Sequence, residues 1–490
     1  MSKLHVPNSF YFTGCIFHND VQSSTLWSFK LMDHFSNEKA LELTLFFNRY
    51  FLHTLLFLAN LFITAQAYEG AVSYEKIYRL NRPAYRSSSG DVINFSYESE
   101  PVKAEQRLDA FGMGDLKLYF QDNNAVNYSI QEAYARYKGD SYQLYIGRKI
   151  LDWNVNEKYW SLGYLNGNQA FTLLSTEEEG VTGILLKKET ANWEFDFLLS
   201  YLFIPSLNPE IDFKNGEVQS KSDWVRLPPK KTVVSGLEVP IYYNKPQYKI
   251  SKIVFNKSLG GNIRYRWSPE GGISAFAVYK PENRLRVNAG AYYDNTLGKV
   301  VVDADPTVNH HAYYGIQVYQ AFGDVKARGG LSYVDPNAKL GKDFPVDISN
   351  ARKTFKSDYF TINPRYEKEA YSHFSTNLDR TYYALSLNYI HLLTKSTRGN
   401  DDFFSDSIKW KRAVGGSVLV KFTESFNVLL DLKYDLERFD NIINSEIRYN
   451  YNNKMIFALG LEILKAPQDV SYWSYYRAND MLYSSIGFFF

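Results

Sequence analysis

The chain has 490 residues, with 55 Lys and Arg against 53 Asp and Glu, and its formal net charge of +2 makes no electrostatic case for a nucleic-acid partner. Tyr (40), Phe (34) and Trp (8) bring aromatics to 17% of residues. Mean hydropathy is nevertheless only −0.35, and the body of the chain has no run of about 18 apolar residues that would make a membrane helix.

Arg49 precedes the apolar run from Tyr50 to Ile63, which is followed by Thr64-Ala65-Gln66-Ala67. A positive flank, a short apolar core and an Ala-x-Ala end are the parts of a secretory signal peptide, here cut after Ala67. A membrane anchor is the other reading, but the run is short for a span. Residues 1–43 are long, aromatic and mixed in charge, unlike a signal n-region, and read as a leader from a start placed too far upstream. The expected organisation is therefore leader plus signal peptide over 1–67 and the mature chain over 68–490. Removal takes four basic and four acidic residues, leaving +2, and it takes Cys15, the one cysteine. A mature chain without thiols has no disulfide and no thiolate metal site.

Strand-like alternation then runs through the rest of the chain. Weak candidates at 70–81 and 91–99 are followed by 107–120, 127–138, 141–151, 180–188, 191–203 and 247–256. Ile263, Tyr265 and Trp267 oppose Asn262, Arg264 and Arg266, and Ile273, Ala275, Ala277 and Tyr279 make the next outer face. Leu285, Val287, Ala289 and Ala291 oppose Arg284, Arg286 and Asn288, and Val325, Ala327 and Leu331 oppose Lys326 and Arg328. Strands follow at 310–321, 357–366, 380–392 and 411–422. The clearest alternation is Phe426 to Glu437, then 443–451, 455–463 and the end of the chain, where Leu482, Ile486, Phe488 and Phe490 share one face.

Short turns at 138–140, 281–283, 322–324, 423–424 and 452–453 contrast with long segments at 153–179, 204–246, 295–309, 335–356, 395–410 and 466–479. Short turns at one end and long loops at the other are the organisation of an outer-membrane barrel. The expected fold is all-β: a transmembrane antiparallel up-and-down β-barrel of about 18 strands (range 16–20) in the outer membrane of a Gram-negative bacterium. The terminal Phe490 resembles the signal by which such barrels are recognised for insertion, which implies the barrel-assembly machinery as a partner beside outer-membrane lipid.

A barrel this wide holds water, so its inward residues are the candidate site. Arg136, Arg264, Arg266, Arg284, Arg286, Lys326 and Arg328 make a basic wall, and Asp431, Asp435 and Glu446 an acidic one. Opposed walls would set a transverse field that sorts solutes by charge; the other reading is that lumen faces are polar throughout and these charges merely keep water in. Two loops are candidates for narrowing the lumen: 153–179, with Trp153 and Trp160, and the proline-rich 204–246, with Trp224 and Arg226. Loop 204–246 serves equally as a constriction or a surface cap, and aromatics such as Trp153 and Trp160 more often sit in the interfacial girdle.

The segment Gln131-Glu132-Ala133-Tyr134-Ala135-Arg136-Tyr137, a short turn, Tyr142 to Lys149 and then Trp153 resembles a hairpin of large substrate-selective porins, including the alginate-export type. That resemblance implies an 18-stranded selective porin with an inward-reaching loop after the hairpin; Asn154 stands where the pattern has Gly. His310-His311, with Asp303 and Asp305 nearby, falls in an expected outer loop, where adjacent histidines point to opposite faces and make a poor metal pair. The sequence carries no Gly-x-Ser-x-Gly, His-Glu-x-x-His or phosphate-cradling loop. The reading is therefore a non-enzymatic channel, without metal or cofactor, for small hydrophilic solutes, with anionic and sugar-like classes in view. The alternative is a loop-plugged barrel that binds surface polysaccharide in a structural role.

Overall fold

Two-sided strands of 8 to 13 residues, apolar on one face and polar on the other, bury their greasy side only against lipid and satisfy their edges only by closing. The computed structural model describes residues 68–490 except 81–88, 100–106, 121–125, 169–176, 207–210, 221, 223, 235, 245–248, 295, 337–358, 363–367, 395–407, 453, 469–470 and 478. The expected leader and signal peptide lie outside the described residues.

Eighteen strands form one ring: β1 (Tyr68–Arg79), β2 (Ser89–Ser99), β3 (Leu108–Phe120), β4 (Val126–Lys138), β5 (Tyr142–Lys149), β6 (Val181–Glu189), β7 (Trp193–Ser200), β8 (Ser258–Ser268), β9 (Gly271–Pro281), β10 (His310–Phe322), β11 (Val325–Asp335), β12 (Glu369–Asp379), β13 (Tyr383–Leu392), β14 (Arg412–Lys421), β15 (Phe426–Asp435), β16 (Asn441–Asn452), β17 (Met455–Lys465) and β18 (Met481–Phe489). Each pairs antiparallel with its neighbour in sequence. β18 then returns to β1, with Ala71 opposite Phe489 and Arg79 opposite Met481. Phe490 extends that ladder, exchanging two 3.0 Å backbone hydrogen bonds with Gly70.

The outward columns are apolar and exposed: Phe195 and Phe197, Ile316 and Val318, Leu385 and Leu387, and Phe457 and Leu459 are representative. Aromatics gather where the strands end. Tyr137 and Tyr142, Trp193 and Tyr265, and Phe422 and Phe426 pair at the short-turn end. Tyr314 and Tyr333 stack farther up the wall toward the long loops. This is the lipid-facing surface of a membrane-spanning barrel.

The strand number matches the expectation, but several members differ. The weak N-terminal segments are true barrel strands, β1 and β2, and β12 lies at 369–379 rather than at 357–366. Segment 247–256 is instead a short helix, Ile250–Val254, and 285–293 leaves the barrel altogether. Residues Arg286–Asp294 join Lys231–Val234, Leu237–Asn244, Lys299–Thr307 and Tyr359–Ile362 in a separate five-stranded sheet contributed by three long loops. The turn direction at 281–283 changes with it: this connection leaves the long-loop end, and the short turn of that region lies between Ser268 and Gly271. Among its described residues, loop 204–246 contributes a hairpin, Asp212–Lys214 with Glu217–Gln219, and two strands of the outer sheet.

Candidate functional site in the barrel lumen

The segment between β5 and β6 turns into the barrel. Gly147, with φ of 136°, twists the end of β5, and a Cβ there would stand 2.2 Å from the Ala133 carbonyl oxygen. Arg148, lipid-facing by alternation, is thereby rotated to the loop: it donates to the Gly180 carbonyl (2.9 Å) and pairs with Glu179 (3.4 Å). Glu132 accepts from the Ile150 amide at 2.7 Å, and Asn166 exchanges two hydrogen bonds with the Leu151 backbone, tying the loop's base.

From there the loop crosses the lumen. Trp153, 1% exposed, donates through Nε1 to Asp196 on β7 at 2.9 Å. Asn154 caps a short helix, α1 (Val155–Trp160), by accepting from the Asn156 amide, and its Nδ2 donates to the Tyr313 hydroxyl on β10. Asn156 donates to His373 Nδ1 on β12 at 2.7 Å. Tyr159 reaches β15, where its hydroxyl lies within hydrogen-bonding distance of Asp431 (3.2 Å) and the Leu432 carbonyl (3.3 Å). β15 is ten strands from β5 on an eighteen-strand ring, so the loop spans nearly the full diameter.

Apolar packing holds it there. Trp160, fully buried, meets Trp410 with ring centroids 5.4 Å apart, and Trp410 meets Trp473 at 5.2 Å. Trp153 and Leu165 pack with inward Leu198, Phe276, Val278, Tyr313 and Val334. Trp153 and Trp160 therefore lie within the lumen and not in the girdle. The sequence holds a signal for this: β9 is apolar on both faces, with Ile273 outside and Phe276 and Val278 inside, as a barrel wall covered from within requires. Trp224 packs against the Trp160 cluster, and the Arg226 guanidinium stacks 3.9 Å from the Tyr475 ring.

One acid sits at the centre of the loop. Glu157, 2% exposed, accepts from the Leu165 amide through Oε1. Burial pushes its carboxyl up to about 8; the Leu165 amide and Lys280 oppose the shift, and Glu178 adds to it.

The charged wall is uneven. On β6–β8, Glu194 is shared by Lys187 (2.9 Å), Arg264 (2.8 Å) and Arg266. Asp152 at the loop's base lies 3.7 Å from Arg264. Arg328 is inward on β11, near enough to feel Arg264 and Asp152, and forms no ion pair among the described residues; Lys326 also forms none and lies exposed near the short-turn end. Lys187, Arg264, Arg266 and Arg328 thus stand against Glu189, Glu194, Asp196 and Asp152, four cations to four carboxylates, with Lys326 as a further cation toward the short-turn end.

The opposite wall is neutralised locally. Asp431 pairs with Lys433 (3.6 Å), and Glu446 with Arg448 and the Tyr483 hydroxyl. Asp435, fully buried, caps the β15–β16 turn through the Glu437 and Arg438 amides and binds the Arg438 side chain. Arg136 pairs with Asp109. Arg284 and Arg286, expected on the wall, lie beyond β9: Arg286 binds Glu282 and the Pro336 carbonyl, and Arg284 lines a cavity of about 100 Å³ with Tyr164, Asn283, His311, Glu369 and Lys409 at the outer end. His310 begins β10, and His311 beside it is buried, its Nε2 against the Tyr164 carbonyl at 3.0 Å.

No protein-family model matches the chain, and no curated protein matches it. Among solved structures, it is similar to OpdO of Pseudomonas aeruginosa (10% identity, TM-score 0.43, covering 87% of this chain and 97% of that one). It is similar to OccAB1 of Acinetobacter baumannii (11%, TM-score 0.41, 87% and 96%) and to Pseudomonas aeruginosa OpdK, solved with vanillate (10%, TM-score 0.42, 87% and 99%). The alginate-export likeness of the 131–153 hairpin gains no support from these structures. At such TM-scores the likenesses decide nothing about what passes through this barrel.

Proposed function

We propose that the protein is an outer-membrane channel for the diffusion of small hydrophilic solutes, narrowed by the segment 150–168. An eighteen-strand ring is too wide for its own side chains to fill, and its outer surface is built for lipid. The observation that carries the reading is the crossing of the lumen from Trp153 on Asp196 to Tyr159 on Asp431. A loop in that position divides the lumen and leaves Arg328 and Lys326, which form no ion pair among the described residues, to act on what passes. The reading favours anionic solutes over cationic ones of equal size. Insertion through recognition of the terminal Phe490 belongs to the same reading.

Liposome swelling tests it. Reconstituted protein is expected to admit small sugars and small carboxylates, and to admit the carboxylates faster than amines of matched size. Vesicles that stay as tight as protein-free ones to every solute would remove the proposal and favour the polysaccharide-binding barrel.

A further inference from the structure

The lipid-facing wall continues past the rim at one place. On β7 the outward column Trp193, Phe195, Phe197 and Leu199 is continued by Tyr201; Leu199 lies opposite Leu259 of β8, and Lys257 just before β8 stands by Tyr201. Beyond it the two segments stay together, with the Phe203 amide donating to the Val254 carbonyl at 2.8 Å. Between them they expose Tyr201 (60%), Leu202, Ile204, Ile250 (62%) and Phe255 (68%), while Phe203 and Ile253 turn inward and are buried. Single exposed apolar residues are ordinary, but a contiguous group calls for a covering.

Three cations stand around this group. Lys249, Lys252 and Lys257 are exposed, and none forms an ion pair or hydrogen bond with a described residue through its ammonium. Lys257 Nζ lies 5.7 Å from the centre of the Tyr201 ring, so one cation stands directly over the top of the lipid-facing column. Asn256 Nδ2 donates to the carbonyls of Lys252 (2.9 Å) and Ile253 (2.8 Å), which closes the C-terminal end of the short helix Ile250–Val254.

We infer that this foot, Tyr201 to Ile204 with Lys249 to Lys257, is a binding site for a lipid of the outer leaflet whose headgroup carries phosphate monoesters and a net negative charge. The acyl chains would lie along the β7–β8 column and under Phe255 and Ile250, and the three ammonium groups would meet the phosphate. Continuity with the lipid-facing wall and charge complementarity select this occupant over a protein partner, which would find the same surface already immersed at the membrane interface. The inference rests on the outer-membrane reading but not on the channel being open.

The full chain in dodecyl maltoside, titrated with a phosphorylated acyl-glycolipid and with phosphatidylcholine of similar chain length, tests it by native mass spectrometry and thermal unfolding. Each lysine near an anionic surface contributes about fivefold in affinity, so Lys249→Gln, Lys252→Gln and Lys257→Gln together weaken glycolipid binding on the order of a hundredfold. The triple Lys→Arg variant retains it, and phosphatidylcholine binds wild type and variant alike. Equal glycolipid binding by wild type and the Gln variant, or equal affinity for phosphatidylcholine and glycolipid in the wild type, overturns the inference. A stabilisation by inorganic phosphate alone that matches the lipid's overturns it in favour of a simple anion site. Heat-dependent gel mobility confirms that each variant is a folded barrel before it is scored. Liposome swelling with the same preparations separates the two proposals, because a preparation can fail either assay and pass the other.

Discussion

The Tyr159 hydroxyl occupies the space that a side chain at Gly415 would need. A Cβ built on Gly415 would stand 2.3 Å from that oxygen, so β14 receives the far end of the loop only because residue 415 has no side chain. Gly415→Val should force Tyr159 off Asp431 at a cost of about 1–3 kcal/mol, the usual range for overpacking. Single-channel recordings should show larger or noisier steps than wild type, while barrel assembly on gels is unchanged.

Trp160 is the loop's main apolar anchor. Trp160→Ala removes its contact with Trp410, and losing a buried Trp of this kind costs about 3–5 kcal/mol. The loss falls on loop docking rather than on the barrel ladder. Hydrogen exchange should therefore rise in 150–168 and remain low in β10 and β15.

Glu157 links loop docking to pH. Its carboxyl ionises near 4.5 when free and at about 8 in place. A raised acid pKa means the docked loop is favoured fully below pH 4.5 and loses stability progressively as pH climbs to about 8. Loop fluctuations, read as current noise, should increase across that window. Glu157→Gln should hold the noise at its low-pH level throughout.

Glu194 balances three cations at once, Lys187, Arg264 and Arg266. Glu194→Gln leaves them unbalanced, and a unit charge at about 4 Å in water is worth about 1 kcal/mol. Reversal potentials in a salt gradient should move toward the anion, by up to roughly fivefold in permeability ratio. Arg264→Gln with Arg328→Gln should move them the other way.

Much of the wall is readable because alternation reports one-sided burial. The segment 285–293 shows where that stops: Arg286 to Asp294 alternates as well as β8 does, yet it lies in the outer sheet, since alternation does not say what covers the apolar side. β1 and β2 read as weak although they close the ring, and β12 begins at Glu369, later than the pattern at 357–366 suggests. The inward position of 153–179 is implied by resemblance to a porin hairpin, while general girdle statistics put Trp153 and Trp160 outside. What decides it is long-range pairing, Trp153 with Asp196 and Trp160 with Trp410, which no local pattern carries. The inward position of Arg264 and Arg266 follows from alternation on β8. Their pairing with Glu194 does not, because an ion pair across strands depends on register.

Single-channel conductance of the wild type beside a variant in which residues 152–165 are replaced by a short Gly-Ser linker tests the lumen-crossing loop most directly. Small discrete steps from the wild type and distinctly larger ones from the variant are the predicted result. Identical steps from both, or no steps from either in a correctly assembled barrel, would contradict it.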